Sequence, residues 1–335
     1  MRHLDARRLP ATLKATGLAI SILVGGTAYG VNAASADSQT ISRAEVARTG
    51  TGSAQAVLDD LRVPSREADA HRRLRALEVS SKSRIGAVAF DTATGKTVVY
   101  RSGERFPMLS TFKALAAAAV LKKARTSDPG LMTRVIRWKS SEVKENSPVT
   151  EKHVADGMTV AQLCHAAITQ SDNTAGNMLL KQIGGPAGLT KYIRTLKDPI
   201  SRLDRWETEL NDWNPKEKRD TTTPAYMARN LQKVTVGNAL DARDRAQLNA
   251  WLRANKTGDE RIRAGLPKSW IIGDKTGASS HYGSTNDIAV IRTSASAAPL
   301  IMAIYTTHRT ADAPNDNKVI ADTATILARA LGKLR

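Results

Sequence analysis

Short apolar runs bounded by polar turn residues mark strands near the two ends of the chain. The segment "RIGAVAFDTATGKTVVYRSG" (residues 84–103) contains two strand-like runs around a Thr-Gly turn, which predicts a β-hairpin. Beyond residue 254, the segments "SWIIGDKTGAS", "NDIAVIRTSASAAP" and "LIMAIYTTH" predict three more strands. Together these runs indicate one five-stranded antiparallel sheet that is built from both ends of the chain.

Helical patterns flank the predicted strands and fill the segment between them. "SREADAHRRLRALEVSS" begins with Ser65 as N-cap and Glu67 in the first turn, and "NKVIADTATILARALGKL" predicts a C-terminal helix. We predict an α+β fold, in which the sheet and its flanking helices (about 66–106 and 255–335) accompany an all-helical second domain (about 107–254). The cleft between these two parts is the expected place for an active site.

The first residues carry the pattern of an export signal. "MRHLDARRLPATLK" is basic, "ATGLAISILVGGTAYGV" is apolar, and the small residues "AASA" predict cleavage after Ala36. The apolar run is too short and too rich in glycine for a good membrane span, although an uncleaved anchor is the alternative. We predict a signal peptide (1–36), a flexible polar leader (37–65), one large folded domain (66–335) and a periplasmic or secreted location, reached by the Sec or the twin-arginine route.

The formal charge of +18 raises the question of a nucleic-acid partner. Removal of residues 1–36 takes away three net positive charges and leaves +15. The remaining basic residues are scattered and only 4% of all residues are aromatic, so no stacking platform for bases is visible. We predict a generally basic surface and no nucleic-acid partner.

Cysteine and histidine content limits the chemistry further. Cys164 is the only cysteine, so no intramolecular disulfide can form, and its helical setting in "TVAQLCHAAITQ" predicts a small buried apolar group. A thiol nucleophile beside His165 is the alternative, but adjacent residues on a helix point in different directions. The six histidines show no His-x-His or His-x-x-x-His spacing, and we predict neither a metal nor a cofactor.

The segment "PMLSTFKALAAAAVL" (107–121) places a serine and a lysine at the start of an apolar helix. Ser110 and Lys113 are three residues apart and so share one helical face. The helix is apolar all round and therefore predicted to be buried. Burial would lower the pKa of Lys113 and make it a candidate base for Ser110. A surface lysine at a helix start is the alternative, and Ser141–Lys144 has the same spacing.

Two further segments carry candidate binding groups. "QSDNTAGN" places Ser171, Asp172 and Asn173 in a loop before a helix, a pattern that is also a common helix start.

"GDKTGASS" places Lys275 and Thr276 on an exposed strand edge, where they could hold a carboxylate, and Gly277 would let a substrate backbone approach closely. The run 256–258 repeats the letters Lys-Thr-Gly, but it follows the helix "LNAWLRAN", and its glycine is interpreted as a C-cap.

The order of these motifs is Ser-x-x-Lys, then Ser-Asp-Asn, then Lys-Thr-Gly on a strand, which is the motif set of the penicillin-recognising serine enzymes. Over about residues 66–335 the chain closely resembles class A serine β-lactamases, with "FPMLSTFK", "SPVTEKH", "GMTVAQLC", "SDNTAGN", "DTTTP" and "GDKTG" in family order. The resemblance implies a monomer that hydrolyses the β-lactam amide bond of penicillins and cephalosporins through a serine acyl-enzyme and so confers antibiotic resistance.

The segment "RLDRWETELN" matches the Arg-x-Glu-x-x-Leu-Asn loop of class A enzymes with Arg205, Glu207, Leu210 and Asn211. By resemblance, Glu207 and Asn211 hold the hydrolytic water, and Arg205 pairs with Asp220 to close the loop. A fully solvated acidic run is the alternative interpretation.

The resemblance also assigns roles in the reaction. Ser110 is the nucleophile, and the backbone N–H groups of Ser110 and Ala278 would hold the oxyanion. Ser171 would relay a proton to the leaving nitrogen, and Asn173 would bind the substrate side-chain amide and orient Lys113.

The substrate carboxylate would be held by Lys275 and Thr276. Arg261, in "DERIRAGLP", matches an arginine that some family members place near that carboxylate. The acylation base is Lys113 or Glu207, and the sequence leaves both open.

Departures from the family pattern concern substrate range. Asn146 stands where an aromatic rim residue is usual, and Leu109 and Ser279 stand where some carbapenem-hydrolysing members have a disulfide-bonded cysteine pair. These differences favour penicillins and early cephalosporins over carbapenems.

Two rival functions share part of the chemistry. A D-alanyl-D-alanine peptidase has the serine, lysine and Lys-Thr-Gly motifs but lacks the loop that carries Glu207 and Asn211. A non-catalytic sensor needs a transmembrane segment linked to a signalling domain, and the sequence predicts none after the signal peptide.

Overall fold

The computed structural model describes residues 65–335, which form eight α-helices and nine strands. The predicted signal peptide (1–36) and the predicted leader, apart from Ser65, lie outside the described residues. The eight helices of residues 65–335 are α1 Arg66–Ser81, α2 Phe112–Thr126, α3 Val160–Thr169, α4 Asn173–Gln182, α5 Gly185–Thr195, α6 Pro224–Thr235, α7 Ala242–Arg253 and α8 Asn317–Ala330.

The strands fall into one large sheet and two short ladders. In chain order they are β1 Ser83–Asp91, β2 Thr97–Tyr100, β3 Phe106–Pro107, β4 Val135–Ile136, β5 Met158–Thr159, β6 Thr221–Thr222, β7 Ile271–Ala278, β8 Thr285–Arg292 and β9 Leu300–His308. The large sheet has the order β2-β1-β9-β8-β7, and all its neighbouring strands are antiparallel. The predicted five-stranded sheet built from both ends of the chain is therefore confirmed.

Both faces of this sheet are covered, because alternate residues along a strand point to opposite faces. On one face, Ile85 of β1 and Met302 of β9 pack with Leu74 of α1 and Leu327 of α8. The alternate residues of the same strands, such as Tyr305 of β9, point to the other face and belong to the second core, which the sheet shares with the helical part. The terminal helices thus close the sheet on the side away from the helical part.

Helix α2 is the centre of the second core. Residues 112–121 are all buried, as the unbroken apolar run predicts. A 3₁₀ turn, Leu109–Thr111, precedes the helix and carries Ser110, and Gly277 on the edge strand β7 packs against Leu109 and Ser110. Ser110 therefore lies at the junction of the sheet and the helical part.

Candidate active site

Lys113 joins the sequence motifs into one cluster by direct contacts. Its Nζ donates hydrogen bonds to Ser110 Oγ at 2.9 Å, to the Ser171 carbonyl at 2.7 Å and to Asn173 Oδ1 at 2.6 Å. It also lies 3.0 Å from Glu207 Oε1, and the Lys113 and Glu207 side chains are fully buried. Residues from three segments of the chain thus surround one ammonium group.

Burial lowers the pKa of Lys113, and the nearby carboxylates of Glu207 and Asp172 oppose that shift. An ammonium has three protons, but four oxygens lie within hydrogen-bond reach of this nitrogen. Loss of one proton would leave two N–H donors and one lone pair, which could accept the proton of the Ser110 hydroxyl. Ser110 Oγ also lies 3.2 Å from Glu207 Oε1, so both groups are within reach of the serine proton.

The backbone around Ser110 is held in an unusual conformation. Leu109 has φ +47°, and Ser171, Asn146 and Asp220 also have positive φ values among the described residues. Non-glycine residues rarely adopt this region, and such strain gathers at functional sites. These residues lie next to groups that the sequence assigns to the reaction.

Gly277 packs closely against the segment that carries Ser110. A Cβ atom there would lie 2.9 Å from Leu109 Cβ and 3.3 Å from the Ser110 backbone nitrogen. The missing side chain therefore allows the nucleophile segment to approach β7, and the predicted approach of a substrate backbone stays a prediction. Ala278, the next residue, is exposed at the end of the strand.

Lys275 and Thr276 lie on an edge strand as predicted, but they are buried and the prediction of an exposed edge was wrong. The reason is that the Ser110 segment and Ser171 cover the strand. Lys275 Nζ donates to Ser171 Oγ at 3.0 Å. Burial, together with the nearby Lys113 ammonium, holds the pKa of Lys275 well below its usual value.

The second Lys-Thr-Gly run is not a helix cap, and that interpretation was wrong. Helix α7 ends at Arg253, and Thr257 extends to the site, where its hydroxyl lies 2.5 Å from the Thr276 hydroxyl. A Cβ atom on Gly258 would lie 1.9 Å from Asp274 Oδ2, so this run packs tightly beneath β7. No local signal in the sequence could have found this long-range contact.

Arg261 is buried beneath the same strand. Its Nη1 donates to the carbonyls of Gly277 and Asn286 at 2.8 and 2.7 Å, and its Nε donates to Asn317 Oδ1 at 2.8 Å. Burial lowers the pKa of Arg261, and the carboxylate of Asp287 opposes that shift. The guanidinium is thus fixed close to the Lys-Thr-Gly strand.

The loop between α5 and β6 (residues 196–220, the Glu207 loop) is closed by an ion pair. Arg205 Nε lies 2.6 Å from Asp220 Oδ2, which confirms the predicted pair. Asp220 also accepts hydrogen bonds from the backbone N–H groups of Asp204 and Arg205. Asp220 is fully buried, and these bonds satisfy its charge.

Glu207 itself is held at both ends. Asn211 Nδ2 donates to Glu207 Oε2 at 2.8 Å, and the Asn177 side chain bonds the Glu207 backbone N–H and carbonyl. Sequence reasoning missed Asn177, the last residue of "SDNTAGN", although it lies one helical turn after Asn173. Asn211 Oδ1 is buried and has no hydrogen-bond partner among residues 65–335.

The Ser-Asp-Asn segment is both a helix start and part of the site. Asp172 is the N-cap of α4 and accepts from the Ala175 N–H, and its carboxylate also accepts from Val149 and Thr150. Asn173 Nδ2 donates to the Glu145 carbonyl at 2.8 Å. The motif therefore starts helix α4 and also contributes contacts to the cluster around Lys113.

The remaining alternatives lie away from this cluster. Ser141 is exposed, and Lys144 lies 3.5 Å from Glu209 rather than near Ser141. Cys164 is buried, and burial raises the pKa of its thiol. Within residues 65–335, no group of three or more His, Cys, Asp or Glu side chains is placed to hold a metal ion.

Comparison with known proteins gives relatives over most of the chain. Residues 69–331 match the model of the beta-lactamase enzyme family. The chain is 51% identical over 257 residues to beta-lactamase FAR-1 of Nocardia farcinica, which covers 76% of this chain and 81% of FAR-1. It is 45% identical over 256 residues to the carbapenem-hydrolyzing beta-lactamase KPC of Klebsiella oxytoca, which covers 76% of this chain and 87% of KPC.

Solved structures of beta-lactamases have the same fold as this chain. A beta-lactamase from Streptosporangium roseum is 73% identical, with a TM-score of 0.79 and coverage of 80% of this chain and 100% of that chain. The class A beta-lactamase of the last common ancestor of Gram-negative bacteria is 51% identical, with a TM-score of 0.75 and coverage of 78% of this chain and 99% of that chain.

Proposed function

The chain belongs to the beta-lactamase enzyme family as a class A serine β-lactamase, and from this premise we propose how its residues divide the reaction. It hydrolyses the β-lactam amide bond of penicillins and cephalosporins through a serine acyl-enzyme, and this activity confers resistance to those antibiotics. The observation that carries the assignment is the buried triangle of Ser110, Lys113 and Glu207, with separations of 2.9 to 3.2 Å.

In acylation, Ser110 Oγ attacks the lactam carbonyl carbon and loses its proton to Lys113 Nζ or Glu207. The carbonyl oxygen becomes an oxyanion that accepts from the backbone N–H groups of Ser110 and Ala278, each worth about 3 kcal/mol in comparable sites. The C–N bond then breaks, and the leaving nitrogen takes a proton through the Ser171 hydroxyl. The product is an ester on Ser110.

Substrate binding uses the positive charge of the site. Lys275 and Thr276 bind the carboxylate of the lactam, and Arg261, beneath their strand, supplies positive charge near it. Gly277 keeps that strand close to the nucleophile. Lys275 and Lys113 repel each other in the substrate-free enzyme, which favours an incoming anion. Asn173 orients Lys113 and offers its second amide proton to the substrate side chain.

Deacylation uses Glu207 and Asn211. Asn211 Oδ1 is a buried acceptor without a protein partner among the described residues, and a buried amide oxygen of this kind is commonly satisfied by water. A water held there lies beside the Glu207 carboxylate. Glu207 takes its proton as the oxygen attacks the ester carbon, and Ser110 Oγ leaves and regains a proton.

The same pair of residues favours this function over its rivals. A peptidase or a sensor keeps its penicilloyl ester and needs no positioned base behind it. The hydrogen bond from Asn211 to Glu207 and the two bonds from Asn177 keep such a base in place. The rival functions give no reason for that arrangement.

We also propose an exported monomer in which residues 1–36 are removed, residues 37–65 form a leader and residues 66–335 form the catalytic domain. Within the catalytic domain, residues of about 107–254 form the helical part, and those of about 66–106 and 255–335 form the part that contains the sheet. The basic run, apolar run and small-residue site at the N-terminus support export. Among residues 65–335, no helix has the length and apolarity required to cross a membrane.

Hydrolysis of nitrocefin by the purified mature protein tests this function directly. We expect rapid hydrolysis that is unchanged by a chelator. Loss of activity in the chelator, with recovery on addition of zinc, would contradict the serine mechanism. The same preparation, sequenced from its N-terminus, should begin near Asp37 if the export proposal is correct.

A further inference from the structure

The Glu207 loop is tied to the turn between β7 and β8 (residues 279–284, the β7–β8 turn) by three consecutive residues. Ser279 Oγ donates to the Asn211 carbonyl at 3.0 Å, and His281 Nδ1 lies 3.9 Å from Asp212 Oδ1. The rings of Trp213 and Tyr282 meet edge to face, with centroids 5.9 Å apart and an interplanar angle of 75°. These contacts begin at Asn211, which bonds Glu207.

The aromatic contact is the strongest of the three. The side chains of Asp212 and His281 are 63% and 50% exposed, and exposed ion pairs at this distance contribute little. Trp213 is only 4% exposed, and its indole N–H donates to the Glu217 carbonyl at 3.2 Å. A large buried ring in edge-to-face contact is a stabilising tether.

The turn is fixed independently of the loop, so it can act as the anchor. The Tyr282 N–H donates to the Ala311 carbonyl at 2.8 Å, and a Cβ atom on Gly283 would lie 2.4 Å from the Pro314 carbonyl oxygen. Asn315 Nδ2 donates to the carbonyls of Ser279 and Ser284 at 3.0 and 2.9 Å. By contrast, the Glu207 loop contains only one 3₁₀ turn, Glu209–Asn211, among its own elements.

We propose that Trp213 and Tyr282 are positioning residues for deacylation. Their contact holds the backbone of Asn211 against the β7–β8 turn, and Asn211 in turn holds the Glu207 carboxylate where the hydrolytic water binds. This inference rests on the proposed function. Acylation has a second candidate base in Lys113, which helix α2 holds in place, so loss of the contact affects deacylation first.

The test is the separate measurement of acylation and deacylation rates with benzylpenicillin, by stopped flow and mass spectrometry. In Trp213→Ala and in Tyr282→Ala, we expect deacylation to slow by about tenfold or more, since misplacement by about 1 Å can cost a hundredfold. Acylation should change much less. Trp213→Phe keeps a ring and should recover most of the deacylation rate, and the double variant should be no slower than either alanine variant.

His71→Ala is the matched control. It removes another edge-to-face ring contact, that of His71 with Tyr100 at 5.7 Å and 82°, on the opposite edge of the sheet. Its two rates should equal those of the wild type. Tyr282 is only half-buried, so Tyr282→Ala decides the question if Trp213→Ala does not fold.

Equal slowing of both steps, or a lower melting temperature with unchanged rates, would overturn the positioning role while leaving the proposed function in place. A wild-type protein that forms no adduct at all would overturn the proposed function, and the positioning role would fall with it.

Discussion

Lys113 Nζ lies 3.0 Å from Glu207 Oε1, and neither side chain is exposed to solvent. A buried ion pair is costly to desolvate, and removal of one partner leaves an uncompensated charge. Here the pair also contacts Ser110, so a proton can move among the three groups without a solvent molecule between them. This contact links the stability of the site to its chemistry.

The nucleophile can be identified by its adduct. Incubation with a penicillin should add one covalent adduct at Ser110, because Ser110 is in contact with both candidate bases. Ser110→Ala should abolish the adduct and turnover, and peptide mapping by mass spectrometry checks this. Ser141→Ala, which alters the exposed copy of the motif, should behave as the wild type. An adduct on Ser141 would mean that the wrong serine has been identified.

Lys275 should lower the stability of the protein at neutral pH. The pKa of Lys275 in the folded protein is held well below the ordinary value of 10.5, which the unfolded chain keeps. At pH values between the folded and the unfolded pKa, the unfolded chain binds a proton that the folded chain does not. The free energy of unfolding therefore rises with pH through that window. Lys275→Met keeps the volume without the charge, and we expect a higher melting temperature near neutral pH and a weaker rise with pH.

Thermal denaturation at several pH values checks this, with the exposed Lys268→Met as control. The same Lys275→Met variant should lose about tenfold to a hundredfold in kcat/KM for benzylpenicillin, because a charge-assisted hydrogen bond to the substrate carboxylate is lost. A variant that is less stable than the wild type, or fully active, would contradict the account of Lys275.

Substrate range is a further prediction. Asn146 supplies no aromatic rim, and Leu109 and Ser279 supply no disulfide. We therefore expect kcat/KM for penicillins and early cephalosporins to exceed that for carbapenems, as steady-state kinetics on purified protein can show. Equal kcat/KM values for a carbapenem and benzylpenicillin would refute it, and the similarity to KPC makes this comparison worth measuring.

The sequence predicts those features that depend on local periodicity. Short apolar runs between turn residues identified the five strands of the sheet, and a spacing of three residues correctly joined Ser110 to Lys113. The features it missed are contacts between distant segments. Thr257 meets Thr276, and Trp213 meets Tyr282, only because the folded sheet edge brings their loops together.

Burial of an edge strand was misjudged for the same physical reason. An edge strand is normally open to solvent, and nothing in "GDKTGASS" indicates that Leu109 and Ser110 pack against it. Asn177 lies in a helix, where its pattern is that of an ordinary polar position, and only the fold brings Glu207 to it. Such contacts are set by tertiary packing and leave no periodic signal.

Deacylation by Glu207 is the central claim, and Glu207→Ala tests it most directly. Acylation needs a serine, a proton acceptor and an oxyanion hole, which Lys113 and the backbone can partly supply without Glu207. Deacylation needs a base for its water, and a positioned base contributes about a hundred- to ten-thousand-fold. The control is Glu209→Ala, which removes an exposed carboxylate from the same loop and should leave turnover unchanged.

The measurement is mass spectrometry of each variant mixed with benzylpenicillin, at seconds and at one hour. For Glu207→Ala we predict the same intact adduct on Ser110 at both times, with turnover reduced at least about a hundredfold. An adduct that disappears from Glu207→Ala at the wild-type rate would show that Glu207 is not the deacylation base, and the peptidase and sensor functions would again be open.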